Sequence, residues 1–174
     1  MLYVIRLSWI IFLCFMGIML ECALARWQII FSGGLFIACY LGIAQRIQTG
    51  IIAGFITAEI TQVLFDRRIT MLPDFLLAMV ILIYFKHYGD RRSLFNQLSF
   101  GFFFSAAACA YLLVAENIDL SHGWSLISFQ TSWTLLSRSI LVGSLLYPLL
   151  IRCCDGLAHL LALERFQPLK PDYL

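Results

Sequence analysis

The stretch FIACYLGIAQRIQTGIIAGFITAEITQVLF, from Phe36 to Phe65, decides the fold. Two apolar runs meet there at a tight basic turn, Gln45-Arg46, and the second run carries a glycine ladder followed by Glu59 and Gln62. An unpaired carboxylate in hydrocarbon is costly. A glycine-rich helix in lipid is likewise poorly held unless a second helix packs closely against it. This hairpin is therefore expected inside a membrane helix bundle rather than alone in lipid.

The rest of the chain agrees. Of its 174 residues 61% are hydrophobic and 13% charged, more apolar surface than a soluble domain of this size can cover with polar groups. The charges gather in short spacers between apolar runs of roughly membrane-spanning length. The fold class expected is all-α: a polytopic membrane protein forming a compact bundle of six transmembrane helices, or five if the first run lies in the interface. A net charge of +2, with no basic run interleaved with aromatics, gives no reason to expect a nucleic acid partner. Cys14, Cys39 and Cys109 sit within apolar runs, Cys153-Cys154 at the end of the last run and Cys22 in a loop, with no CxxC spacing. They read as packing thiols rather than a disulfide framework or a metal site, and no cofactor is expected. Arg6, the run Leu7 to Leu20 and Ala23-Leu24-Ala25 imitate a signal peptide, but Glu21 is ill placed for a cleavage site. An uncleaved first span is expected.

The six spans are expected at about Leu7 to Leu20, Trp27 to Ala44, Gln48 to Phe65, Ile69 to Phe85, Leu94 to Ala115 and Trp133 to Ile151. Pro73 and Asp74 suit the first turn of the fourth, where proline loses no hydrogen bond and a carboxylate meets the positive end of the dipole. Residues 1–154 form one transmembrane domain and 155–174 a cytoplasmic tail. In that tail Leu157, Leu160, Leu161 and Leu163 predict a short amphipathic helix, ended by Pro168 and Pro171. The loop from Glu116 to about Ser132 contains Trp124 and Phe129 and is expected to lie partly on the bilayer surface. With both termini inside, eight basic residues face the cytoplasm (Arg6, Arg46, Lys86, Arg91, Arg92, Arg152, Arg165 and Lys170) against three outside (Arg26, Arg67 and Arg68). That bias fits the positive-inside rule.

Three groups are candidate sites. Gly50, Gly54 and Ala58 recur every four residues, a spacing that lets two helix backbones approach; the ladder serves packing within the chain or docks a partner's helix. Ala106 and Ala110 offer a weaker surface of the same kind. Glu59 and Gln62 share one face. Glu59 lies about 10 Å and Arg138 about 7 Å below the outer surface, so a buried Glu59–Arg138 bridge would relieve both. The alternative is that Arg138 snorkels and Glu59 is protonated or bonded to a threonine or glutamine. Lys86, Arg91 and Arg92 form a cytoplasmic basic patch, set either by topology alone or by a partner or anionic lipid. No zinc-protease, phosphatidyltransferase, intramembrane serine protease or P-loop pattern is complete, so no catalytic residue is expected and the chain is read as a non-enzyme.

The run Leu35 to Gln62 resembles the heart of the MreD family, the small membrane subunit of the bacterial cell-elongation machinery. The matching parts are Tyr40-Leu41, the turn Ala44 to Gln48, Gly50, Gly54-Phe55 and Ala58, and the closing run GSLLYPLLIRCCDGL, Gly143 to Leu157, is similar to that family's last span. The match slips by one helical turn: the family's acidic residue falls at Gln62, with Glu59 a turn earlier, and Asp66-Arg67-Arg68 replaces a small glycine-containing turn. The resemblance implies a rod shape-determining role in the bacterial inner membrane without catalysis. Its expected partners are MreC, RodA with its transpeptidase, indirectly MreB, and membrane lipid. It also implies a fold like the six-helix substrate-binding subunits of energy-coupling-factor vitamin transporters. The second function this suggests is a small-solute capture subunit. An outward cavity lined by Glu59, Gln62, Trp124 or Arg138 would favour capture, and exposed apolar grooves would favour a scaffold.

Overall fold

Apolar stretches of this length can satisfy their backbone in lipid only as helices or closed barrels, and the chain takes the helical solution. The structure, a computed structural model, describes residues 2–65, 72–88, 90–91, 93–119, 123–124 and 129–166. Among the described residues six helices follow in order: α1 (Leu2–Ala25), α2 (Gly33–Ala44), α3 (Ile47–Leu64), α4 (Leu72–Tyr88), α5 (Leu94–Asn117) and α6 (Phe129–Leu160). Between α5 and α6, β1 (Ile118–Asp119) pairs antiparallel with β2 (Gly123–Trp124). Among the described residues three helical stretches, Tyr3–Ala25, Ile47–Leu64 and Trp133–Leu160, are long and apolar enough to cross a membrane. Large apolar side chains such as Val4, Ile11, Phe15, Ile56, Val80 and Leu141 stand exposed on the outside of the bundle. Such a surface suits lipid and not water: this is a membrane-type protein.

α2 is the centre. It is 12 residues long, and every residue from Gly33 to Ile43 is buried, as expected of a helix that is apolar on all sides. On one side Gly33 lies against the backbone of Gly17 in α1, where a Cβ would meet the Gly17 carbonyl carbon at 2.7 Å. On another, Gly34, Ala38 and Gly42 meet Gly50, Gly54 and Ala58 of α3. A third contact comes from Leu82 of α4, whose Cδ1 would stand 3.4 Å from a Cβ on Gly42.

The sequence starts this helix at Trp27; the structure starts it at Gly33. α1 is stopped by a paired turn in which Ile29 N–H donates to the Leu24 carbonyl at 3.2 Å and Gln28 N–H to the Ala25 carbonyl at 3.0 Å. Gln28 takes a left-handed φ of 57°, the backbone state this helix-ending motif requires. The chain then runs to Ser32, whose hydroxyl caps α2 by accepting from Leu35 N–H at 3.2 Å. The Glu21 carboxylate accepts from Gly33 N–H at 2.9 Å. Apolar composition alone could not reveal a cap supplied by the preceding helix.

The tail also differs from expectation. No separate amphipathic helix begins at Asp155, because α6 continues unbroken for 32 residues to Leu160, with Pro148 inside it. It ends in the same kind of turn as α1: Leu163 N–H donates to the Ala158 carbonyl at 2.9 Å, Ala162 N–H to the His159 carbonyl at 3.1 Å, and Ala162 has φ 53°. Leu163 and Phe166 are then buried, so this part of the expected tail belongs to the core. Lys170, Pro168 and Pro171 lie outside the described residues, as do Asp66, Arg67, Arg68, residues 120–122 and 125–128 of the expected surface loop, and the side chain of Trp124.

Aromatic rings link the helices into one core. Phe166 stacks on Tyr40 at 6.3 Å and Tyr40 on Phe36 at 6.2 Å. Phe36 meets the edge of Tyr147 at 5.5 Å, and Tyr147 stacks on Phe104 at 6.1 Å. The chain of contacts thus joins the C-terminal segment through α2 and α6 to α5. The α5–α6 pair is closed by a second small-residue contact: a Cβ on Gly101 would stand 2.7 Å from the Cα of Ser144, and one on Gly143 would stand 2.8 Å from the Cβ of Ser105.

Candidate functional site

The glycine ladder is the first candidate. A Cβ on Gly50 would stand 2.7 Å from the Cα of Gly42, and one on Gly54 would stand 2.7 Å from the Cβ of Ala38. Ala58 is 1% exposed and packs on Gly34. All three residues face α2, so this stripe packs within the chain and presents no free surface to another protein. On α5 the corresponding close contact is made by Gly101 and Ser105, whereas Ala106 is half-buried and Ala110 exposed. The G-x-x-x-S spacing at 101 and 105, with Gly143-Ser144 opposite, was the available sequence signal.

The buried polar set is divided. Gln62 is buried on α3, and its Oε1 has no hydrogen-bond partner. Glu59 is half-buried on the same helix, whereas Arg138 is exposed on α6. No Glu59–Arg138 ion pair occurs among the described residues, and the expected bridge is not formed. The physical reason is the packing order: α3 lies on α2, α1 and α4, while α6 lies chiefly on α5. Glu59 is instead within electrostatic reach of Tyr111 on α5, as is Asp74 on α4. Thr57 and Thr61 donate back to carbonyls of their own helix, Ala53 for Thr57 and both Thr57 and Ala58 for Thr61, the usual solution for a hydroxyl in an apolar helix.

Asp74 is the residue whose importance the sequence understated. It sits in the first turn of α4, as expected, but is 5% exposed, and its Oδ2 has no partner. Gln62 Oε1 and Asp74 Oδ2 are thus two buried acceptors with unused capacity; the carboxylate can take a proton, and either oxygen can accept from a donor. The hydroxyl of Ser139, buried on α6, holds the strand-like approach to α2 by accepting from Ile30 N–H at 2.9 Å.

At the opposite end of α2, the Tyr40 hydroxyl donates to Asp155 Oδ1 at 3.0 Å, and Phe166 N–H donates to the same oxygen at 2.8 Å. Arg6 at the start of α1 pairs with Glu164 at 2.7 Å. The beginning of α1, the α2–α3 turn and the end of α6 therefore meet at one end of the bundle. Lys86 and Arg91 of the basic patch flank the α4–α5 turn, which is tied by Asn96 to the Asp90 carbonyl at 3.0 Å and by Gln97 to the Arg91 carbonyl at 2.8 Å. Arg92 lies outside the described residues.

Two apolar grooves open on the outer surface. One, about 450 Å³, lies between the start of α1 and the end of α6 and is walled by Val4, Trp9, Phe12, Leu157 and Leu160. The other, about 440 Å³, lies between α4 and α5 and is walled by Val80, Tyr84, Phe85, Phe100 and Phe103. Comparison with protein-family models, with curated proteins and with solved structures returns no match to this chain.

Proposed function

We propose that the chain is a non-enzymatic scaffold of the bacterial cell-elongation complex, acting in the manner of the MreD family that its α2–α3 hairpin resembles. In this reading it lies in the inner membrane with six spans in an energy-coupling-factor-like arrangement and both termini cytoplasmic. It binds MreC and, through RodA and its transpeptidase, helps couple peptidoglycan synthesis to MreB filaments. The observation that carries the reading is the pair of exposed apolar grooves. A groove walled by Val4, Trp9, Phe12, Leu157 and Leu160 offers one membrane helix of a bitopic partner a lining of large side chains, and van der Waals contact is what drives helix association in lipid. The meeting of α1's start with α6's end accords with termini on one side.

Affinity purification from the native membrane tests it: recovery of MreC or RodA is the expected result, and recovery of an ATPase module instead overturns it. The second reading, a capture subunit for a small solute, is favoured by the unpartnered acceptors of Gln62 and Asp74, and the ATPase result would select it.

A further inference from the structure

We propose that a polar cavity at the end of the bundle where α1 begins binds the phosphate group of an anionic phospholipid. The cavity measures about 640 Å³ and is walled by Arg6, Gln45, Arg46, Thr49 and Glu164 with a smaller apolar share. It goes beyond the scaffold reading and does not depend on it.

Charge is the first argument. Two guanidinium groups face one carboxylate, and the Arg6–Glu164 pair at 2.7 Å uses one of each. The site is left one positive charge in excess, the charge that a phosphodiester monoanion neutralises. Unused donors are the second. Among the described residues Arg46 makes no side-chain hydrogen bond or ion pair, and neither do the side chains of Gln45 and Thr49; Arg6 Nε is buried without a partner. Planar guanidinium donors match phosphate oxygens in geometry as well as charge. Local backbone is the third. α3 begins at this wall, and its cap residue Arg46 makes no side-chain capping bond. The first-turn amides and the positive end of an 18-residue helix therefore stand beside the two arginines, an arrangement suited to an anion.

The cavity's surroundings select a lipid over a free anion. Its rim includes Tyr3 and Leu7, both exposed, and the same face of α1 continues through exposed Val4 and Ile11. A headgroup in the cavity would have its acyl chains along this apolar face. Glu164 then acts as a built-in competitor: it holds Arg6 when the cavity is empty and yields it, in part, when a phosphate enters.

The experiment uses the purified full chain and native mass spectrometry with three probes: dioleoylphosphatidylglycerol, dioleoylphosphatidylcholine and inorganic phosphate. The expected result is retention of phosphatidylglycerol over phosphatidylcholine. Arg46→Gln lowers that retention by about tenfold, the size of one hydrogen bond to a charged group, and Arg46→Lys restores most of it. Glu164→Gln raises it, because the competitor is gone. Arg46 is exposed and unpaired, so its variants keep the thermal stability of the parent, which a melting curve verifies. Equal retention of the two lipids, an Arg46→Gln variant that binds as the parent does, or a Glu164→Gln variant with no rise would each overturn the proposal. Arg46-dependent binding of inorganic phosphate without lipid preference would overturn the lipid assignment.

Discussion

Replacing Gly54 with alanine tests the tight seat of α2 most directly. The new Cβ would stand 2.7 Å from the Cβ of Ala38 and 2.9 Å from its backbone nitrogen, and would press on the carbonyl of Gly34. Ordinary carbon contacts lie at about 3.5–4.0 Å, so the two helices must separate by about 1 Å. α2 has nowhere to go, because on its far side Gly33 already lies on the Gly17 backbone. Overpacking costs about 1–3 kcal/mol, and the upper end applies here because the obstacle is largely backbone. For a chain of this length about 3 kcal/mol lowers Tm by roughly 6–12 °C. Gly156→Ala is the matched control: nothing lies within 4 Å of the added carbon, and alanine in a helix gains about 0.5–1 kcal/mol over glycine. Its Tm should rise by about 2 °C. The melting curve can be read with a thiol-reactive fluorophore, since Cys39, Cys109 and Cys154 are free and buried and become accessible on unfolding. Equal melting temperatures for the two variants would refute the reasoning.

Ala162→Gly should stabilise the end of α6 by about 1 kcal/mol, since alanine is held at φ 53° in a region where its Cβ is unfavourable; the same melting curve reads it. Asp155→Ala removes the acceptor shared by Tyr40 and Phe166 and should release residues 163–166, seen as faster hydrogen exchange at the Phe166 amide and a loss of about 2 kcal/mol. Glu21→Ala leaves Gly33 N–H without its acceptor and should cost about 2 kcal/mol, whereas a variant at exposed Glu164 should cost less than half as much. Gly143→Ala presses its new carbon on Ser105 and should destabilise by about 1–3 kcal/mol; adding Ser105→Gly should recover most of that loss, a coupling that a double-mutant cycle measures.

What the sequence made legible was the local chemistry of each helix. The α2–α3 hairpin could be read because Gln45-Arg46 interrupts two apolar runs, and the facing stripe could be read because Gly50, Gly54 and Ala58 recur at one helical face. The start of α3 was read to within a residue, and Asp74 was placed in the first turn of α4. The pairing between helices was much less legible. Gly33 and Gly34 look like interior residues of one long span until Glu21, from another helix, is seen to supply the acceptor that begins α2 there. Counted along their spans, Glu59 and Arg138 stand at compatible heights, but height says nothing about which face a residue occupies around the bundle. Phe166 carried no signal at all, because its burial depends on a turn through a left-handed alanine.

The Asp155 clasp has a consequence for how the protein is made. Tyr40 and Asp155 are separated by 115 positions, and Phe166 lies further along still, so α2 is synthesised long before the groups that cover its end. During translation the nascent bundle carries an open notch beside Tyr40, with a buried hydroxyl still seeking its acceptor. Closure of that notch is a long-range contact, costly in chain entropy. Biogenesis of this protein thus closes with a seal set from the C-terminal part of the chain onto its earliest fully buried helix, and truncations upstream of Phe166 would leave an inserted but unsealed bundle.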